Sequence, residues 1–220
     1  MTPTWYGVRR VFYDPYEGGL AYEERVAAWR AADEADATRL AEADAAEYCS
    51  DFSRTRDTGM TQLCRLQGEP DIGAVVFSRT RRSDLPAAQY LDRYFDVGNE
   101  LTRRLGLDAD LPEFHSRRVD DFSGHDWFTV RCVLVVRHRD HSVYEERMTL
   151  WQAKGFDRAI EAAETEVQNY ALTTGAEYVG LAQGYCMFDE PGQGAEFFSL
   201  IRPSILTPED YVRRFFDAAE

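Results

Sequence analysis

The sequence of 220 residues has no long apolar run and no visible targeting segment. A membrane-spanning helix needs roughly 20 consecutive apolar residues, and no stretch approaches that length. The first residues, MTPTWYGVRRVFYD, lack the basic start and apolar stretch of a secretory signal. These absences predict a soluble, cytoplasmic protein without a membrane partner.

Cysteine is scarce and unpatterned. The four cysteines form no C-x-x-C pair, and each lies among apolar or alternating residues: Cys49, Cys64, Cys132 and Cys186. A buried free thiol behaves as a small hydrophobic side chain, and disulfides are rare in reducing compartments. Free thiols are therefore expected, which agrees with a cytoplasmic location.

The chain also lacks an excess of positive charge. Its formal net charge is −14, with 39 acidic against 25 basic residues, and the acidity is spread along the whole sequence. Because phosphate contacts dominate nucleic-acid affinity, such a surface excludes DNA and RNA as expected partners. It would attract a basic protein or a cationic ligand, or simply keep the molecule soluble.

Known catalytic and cofactor motifs are missing as well. There is no glycine-rich phosphate loop, no nucleophile elbow and no H-E-x-x-H segment. His138 and His141 flank Asp140 in a polar segment, and although these are metal-ligand types, histidines in exposed turns are usually just solvated. No cofactor and no metal are predicted.

What the sequence does contain is an internal repeat. Residues 5–49 align without gaps on residues 127–171, with 14 identities in 45 positions, and YEERVAAW at 22–29 returns as YEERMTLW at 144–151. After a one-residue slip the similarity resumes, so that Phe77, Ser78 and Arg81 fall on Phe198, Ser199 and Arg202. A tandem duplication follows, with a first repeat at 1–96, a helical extension and linker at 97–126, and a second repeat at 127–220.

The two copies read together predict β-β-α-β-β-α in each repeat. Alternation gives a hairpin, and three- and four-residue spacing gives a helix near 34–50 and 156–172. Two further strands follow in each copy, near 60–67 and 72–79 and near 178–188 and 195–202. A last helix is capped by Thr207 with Pro208 in its first turn. The class is α+β with mostly antiparallel sheets, and two half-covered sheets favour an internal pseudo-dimer.

The hairpin supplies the candidate site. Trp5 and Arg9 alternate away from the apolar face of the first strand, and Glu23, Arg25 and Trp29 share one face of the second. If the register permits, they form one surface of aromatic and paired charged side chains in each copy. The ten predicted ligand- or partner-binding residues are Trp5, Arg9, Glu23, Arg25, Trp29, Trp127, Arg131, Glu145, Arg147 and Trp151.

Four roles are open for these residues. Cross-strand Arg–Glu pairs with flanking tryptophans are an ordinary way to build an interface, so packing of the two copies is one role. The preferred function is a non-enzymatic binding protein that acts on a partner with a basic surface, as an immunity protein, antitoxin or regulator does. A small molecule could instead bind in a cleft between the copies, lined by Trp29, Trp151 and the arginines. An enzyme would use Glu24 or Glu146 as a general base. The two carboxylates could form a pair across a pseudo-twofold axis.

The pattern W-x-V-R, then Y-E-E-R-x-x-x-W, then a helix with A-x-x-x-A-E and a tyrosine resembles a short bacterial family known as a domain of unknown function. The resemblance covers about 45 residues of each copy. It implies a bacterial, cytoplasmic, small α+β module present twice in one chain. It implies no activity and no catalytic residues.

Overall fold

Two stretches of the chain, residues 3–95 and 126–216, are described by a computed structural model. They form eight strands and four helices in the order β1 Thr4–Tyr16, β2 Gly19–Ala31, α1 Glu34–Asp51, β3 Arg56–Arg65, β4 Val75–Ser83, α2 Ala87–Tyr94, β5 Asp126–Arg137, β6 Ser142–Ala153, α3 Phe156–Thr174, β7 Glu177–Cys186, β8 Glu196–Ser204 and α4 Pro208–Phe215. The predicted α+β class and β-β-α-β-β-α order are confirmed. The predicted extension beyond Asp96 and the linker lie outside the described residues.

Helix ends follow local chemistry. The Asp33 side chain accepts the Asp36 N–H at 2.8 Å and so caps α1, and Thr207 caps α4 through the Asp210 N–H, as the sequence predicts. α3 ends at Gly175, whose φ of 71° is the left-handed conformation that glycine adopts without a Cβ clash. No helix within the described ranges is long and apolar enough to cross a membrane.

The strands form two antiparallel four-stranded sheets that exchange their edges. The first sheet has the order β3-β1-β2-β8 and the second has the order β4-β6-β5-β7. Thus β4, from the first half of the chain, pairs with β6 of the second half, and β8 pairs with β2 of the first. Each sheet contains three strands from one half and one from the other.

The short helices follow their exchanged strands. α2 packs on the second sheet, where Tyr90 stacks on Tyr144 with ring centroids 3.6 Å apart. α4 packs on the first sheet, where Tyr211 stacks on Tyr22 at the same distance. In each half, the last strand and the short helix that follows it both pack on the sheet of the other half. These segments therefore contribute to the core of the other half.

The two sheets pack face to face through a shared core. This core contains residues from β2, β4, β6 and β8, including the fully buried Phe77 and Phe198. The long helices cover the opposite faces: α1 packs on β1 and β2 through Ala37 and Ala41, and α3 packs on the second sheet. Each sheet therefore has an inner face toward the other sheet and an outer face under a long helix.

One close approach depends on glycine. A Cβ built on Gly7 of β1 would lie 2.1 Å from the backbone oxygen of Val76 in β4. Only a residue without a side chain allows these two strands, which belong to different sheets, to approach so closely. The equivalent position in the second half is Thr129, so the two halves differ at this contact.

Candidate functional site

The hairpin register divides the ten predicted site residues between two faces. β1 and β2 pair so that Arg9 lies opposite Val26, while Arg10 lies opposite Arg25 and Phe12 opposite Glu23. Residues directly opposite in an antiparallel pair share a face. The prediction that these residues form one surface in each copy is therefore wrong. Trp5, Arg9, Trp127 and Arg131 lie on the inner faces, and Glu23, Arg25, Trp29, Glu145, Arg147 and Trp151 lie on the outer faces.

On the inner faces, two arginines and two glutamates form a buried cluster between the sheets. Arg131 Nη1 lies 2.9 Å from Glu24 and 3.1 Å from Glu146, and Arg9 Nε lies 3.1 Å from Glu24. Arg9 also donates through Nη2 to Glu146. Each carboxylate thus contacts both arginines, and each arginine contacts a carboxylate from its own half and one from the other.

Polar and aromatic neighbours complete this inner cluster. Gln62 accepts from Arg9 at 3.3 Å and Gln183 accepts from Arg131 at 2.8 Å. The Arg9 guanidinium lies 4.2 Å from the Phe77 ring centroid, and Arg131 lies 4.6 Å from that of Phe198. The repeat predicts equivalent places for the phenylalanines, and the same offset that aligns Phe77 with Phe198 also aligns Gln62 with Gln183. That match is a sequence signal that could have marked the glutamines.

The pKa of Glu146 is set by this environment. Burial alone would raise the pKa, but the attraction of Arg9 and Arg131 outweighs that effect and lowers it to about 2. Glu24 and Glu146 are the pair considered as general bases. Since both are buried and paired with two arginines each, the observation that would motivate such a base is missing.

On the outer faces, each half carries a second site beneath its long helix. In the first half, Tyr48 of α1 donates to Glu23 at 2.7 Å and Ser199 of β8 donates to it at 2.8 Å. The Arg25 guanidinium lies 4.1 Å from the Tyr48 ring centroid and pairs with Glu196 of β8. The arginine and glutamate of the YEER motif are thus joined to the helix and to the exchanged strand.

The second half repeats this arrangement. Tyr170 of α3 donates to Glu145 at 3.1 Å, Ser78 of β4 donates to it at 2.9 Å, and Arg147 lies 4.1 Å from the Tyr170 ring centroid. Here Arg147 pairs with Glu166 of α3 at 2.7 Å. Tyr48, Tyr170, Ser78 and Ser199 all match across the repeat, and that signal could have marked them as members of the site.

The carboxyl groups of the first outer site are crowded. Glu23 is 5% exposed, and burial together with the negative charge of Glu196 raises its pKa to about 7, against the smaller opposing effect of Arg25. Burial and the nearby Glu23 carboxylate also raise the pKa of Tyr48 well above its ordinary value. Near neutral pH, this site holds a carboxyl group that is partly protonated.

The second outer site adjoins an open groove of about 730 Å³. Trp151 and residues of α3 line it, among them Arg158, Glu161, Glu166 and Tyr170. Arg147 does not line the groove but contacts Glu166 and Tyr170, which do. Its Nε atom is buried and has no hydrogen-bond partner among the described residues. The volume is that of a small-molecule site.

The two tryptophans predicted to line a cleft between the copies do not face each other. Trp29 and Trp151 lie on opposite outer faces, and apolar side chains and the inner cluster fill the junction of the two sheets. In the ranges that the structure covers, no group of three or more His, Cys, Asp or Glu side chains is placed to hold a metal ion. His141 instead lies 2.8 Å from the adjacent Asp140.

No family model, no curated protein and no solved structure matches this chain. The resemblance to a bacterial domain of unknown function therefore stays a prediction. Function has to be inferred from the geometry of the site and its surface.

Proposed function

We propose that this chain is a non-enzymatic binding protein that recognises the basic surface of a partner protein through the outer face of α1. The helix contains one basic residue, Arg39, and six acidic ones: Glu34, Asp36, Glu42, Asp44, Glu47 and Asp51. Its packing contacts are made by the small residues Ala37, Ala41 and Ala45. Asp44 lies 4.0 Å from Arg25 of β2, whereas Glu42, Glu47 and Asp51 are exposed and are not among the buried residues that pack the helix on the sheet.

The observation that carries this proposal is the lack of ion pairs on the exposed carboxylates of α1. Glu42, Glu47 and Asp51 are exposed and have no ion pair among the described residues. On α3, by contrast, Glu161 pairs with Arg158 and Glu166 pairs with Arg147. Unpaired carboxylates on one helix leave its negative potential available for an external cation.

An apolar side chain lies at the end of the same face. Phe52 follows α1, is 42% exposed and contacts the Tyr48 ring at a centroid distance of 4.9 Å. Protein interfaces commonly combine an aromatic contact with a surrounding polar rim. Phe52 would supply the first and the α1 carboxylates the second.

The proposal includes an internal pseudo-dimer. Reciprocal contacts support it: Arg81 donates to the Phe215 carbonyl at the end of α4, and Arg202 donates to the Phe95 carbonyl at the end of α2. Both place a cation at the negative end of a helix. The proposal also includes a cytoplasmic location. The observation that supports it is that all four cysteines are free thiols, as is usual in a reducing compartment.

Charge reversal on α1 tests the proposal. The double variant Glu42→Arg/Glu47→Arg is compared with Glu69→Arg/Asp84→Arg, which changes the net charge equally at exposed positions elsewhere. Proteins captured from native cells are quantified for wild type and both variants, and the affinity of the purified partner is then measured by calorimetry at two salt concentrations.

We expect a basic partner whose affinity weakens with salt and falls at least about tenfold for the α1 variant only. Circular dichroism checks that both variants are folded. Wild-type affinity in a folded α1 variant would overturn the assignment of this face, as would an equal loss in the control variant.

A further inference from the structure

The two outer sites differ at two positions beside the arginine, where Glu166 replaces Asp44 and Val75 replaces Glu196. The second difference leaves a cationic donor without a hydrogen-bond partner among the described residues. In the first half, Glu196 of β8 pairs with Arg25 Nε. Glu196 lies opposite Ala27 in the ladder, and the matching place opposite Thr149 is occupied by Val75 of β4. A valine side chain cannot accept a hydrogen bond, and the buried Arg147 Nε has no acceptor within the part of the chain that the structure describes.

The rest of the two sites is closely matched. In each, a tyrosine and a serine donate to the YEER glutamate, and the guanidinium lies 4.1 Å from the tyrosine ring centroid. The first half therefore shows how the second would look with one more carboxylate. An unpaired buried donor on a charged group is costly, so a ligand that supplies the missing acceptor is stabilised.

Two side chains lie between the open groove and the unpaired donor. Glu166 and Tyr170 both line the groove and contact Arg147. Glu166 is only partly held, since its Oε2 atom has no hydrogen-bond partner among the described residues. Rotation of this side chain would connect the groove to Arg147, and the ligand would replace the hydrogen bond that Arg147 Nη2 now donates to Glu166.

We propose that the groove beside α3 binds a small molecule with a carboxylate group, which accepts from Arg147 Nε as Glu196 accepts from Arg25 in the first half. The Trp151 ring and the hydroxyl of Thr165 line the space in which the remainder of the ligand would lie. A monoanion fits better than a phosphate because Glu145 and Glu166 already surround the guanidinium. This site is separate from the acidic face of α1.

Replacement of Val75 by the residue that the first half has at the matching place tests the site. Val75→Glu supplies an internal carboxylate to Arg147 and should block the ligand. Gln89→Glu is the control, since it adds the same charge at an exposed position on α2. The probes are propionate, benzoate and indole-3-acetate, each paired with its uncharged amide.

Binding is followed by titration of the Arg147 Nε–H resonance in nuclear magnetic resonance spectra. We expect at least one carboxylate to shift this resonance saturably at millimolar concentration, with its amide inactive. The affinity should fall at least tenfold in Val75→Glu, as the loss of one charged hydrogen bond implies, and should persist in Gln89→Glu. Absence of saturable binding by all three carboxylates, or equal binding to Val75→Glu, would overturn the proposal.

Discussion

Arg131 donates to both carboxylate oxygens of Glu24, at 2.9 and 3.0 Å, although the two residues are 107 positions apart in the chain. The contact crosses the junction between the two sheets and is buried on both sides. It shows that the W-x-V-R and YEER motifs meet between the halves of the molecule. Their inner residues hold the fold together, and their outer residues form the two sites beneath the long helices.

The first prediction concerns this buried ion pair. Glu24→Gln leaves Arg9 and Arg131 with one carboxylate in place of two, and the free energy of unfolding should fall by about 3–5 kcal/mol. Urea denaturation measures the change. The control is Glu161→Gln on the exposed pair with Arg158, which should cost no more than about 1 kcal/mol. Equal effects of the two substitutions would show that the buried cluster contributes no special stability.

The second prediction is the acid sensitivity of the inner cluster. The folded pKa of Glu146 is lowered to about 2, so its pairing contributes stability above its unfolded pKa near 4.5, and this is lost as pH falls towards 2. The difference in unfolding free energy between wild type and Glu146→Gln should shrink by about 3 kcal/mol between pH 6 and pH 2. A difference that stays constant over this range would contradict the lowered pKa.

The third prediction has the opposite sign and concerns the outer site. Because the folded pKa of Glu23 is raised to about 7, the folded state binds more protons than the unfolded state between about pH 4.5 and 7, and stability falls as pH rises through this window. Glu23→Gln removes the titration, so its stability relative to wild type should increase by about 3 kcal/mol between pH 4.5 and 8.

Denaturation at four pH values checks the prediction for Glu23. The matched variant Glu145→Gln alters the equivalent hydrogen bonds from tyrosine and serine, at a site where Val75 replaces the second glutamate. It therefore separates the effect of lost hydrogen bonds from that of the crowded carboxyl groups. Parallel stability curves for wild type and Glu23→Gln would refute the raised pKa.

The fourth prediction tests the contact between β1 and β4. Gly7→Ala places a methyl group 2.1 Å from the Val76 carbonyl oxygen, a backbone atom that cannot rotate away. We expect a loss of about 3 kcal/mol or more in unfolding free energy, at the upper end of overpacking effects. Gly68→Ala is the control, because no atom of residues 3–95 or 126–216 lies within 4 Å of its Cβ position beyond its own chain neighbours. A stable Gly7→Ala variant would mean that the two strands separate without cost.

Local signals predicted much of this fold, including both hairpins, the long helices and the Thr207 cap. They did not predict which side chains of the hairpin share a face, because that depends on the register between the two strands. Glu17 and Gly18 form a two-residue turn that pairs Tyr16 with Gly19, and this register places Arg9 opposite Val26. A register one residue different would have placed Arg9 opposite Arg25, on the expected common face, since side chains alternate with a period of two.

The sequence did not predict the exchange of β4 and β8 between the sheets, and the reason differs from that for the hairpin. Both strands present the same alternating pattern to either β2 or β6, because the two halves derive their patterns from one repeat. Ser78 and Ser199 illustrate this, as each donates to the YEER glutamate of the other half. Sequence patterns specify which face of a strand is buried but not which of two equivalent partners it pairs with, so the exchange could not be predicted.

The fifth prediction follows from that exchange. If the chain is divided into fragments 1–110 and 111–220, neither fragment should form a folded monomer, because each would lack the edge strand and short helix that complete its sheet. Mixing should give a stable one-to-one complex, detected by size-exclusion chromatography with light scattering and by cooperative urea unfolding. Glu24→Gln in the first fragment should weaken the complex, since Arg131 in the second fragment loses the carboxylate that it contacts across the junction. A first fragment that unfolds cooperatively as a monomer would show that β4 can pair with β2 of its own half. The exchanged pairing would then not be required for folding.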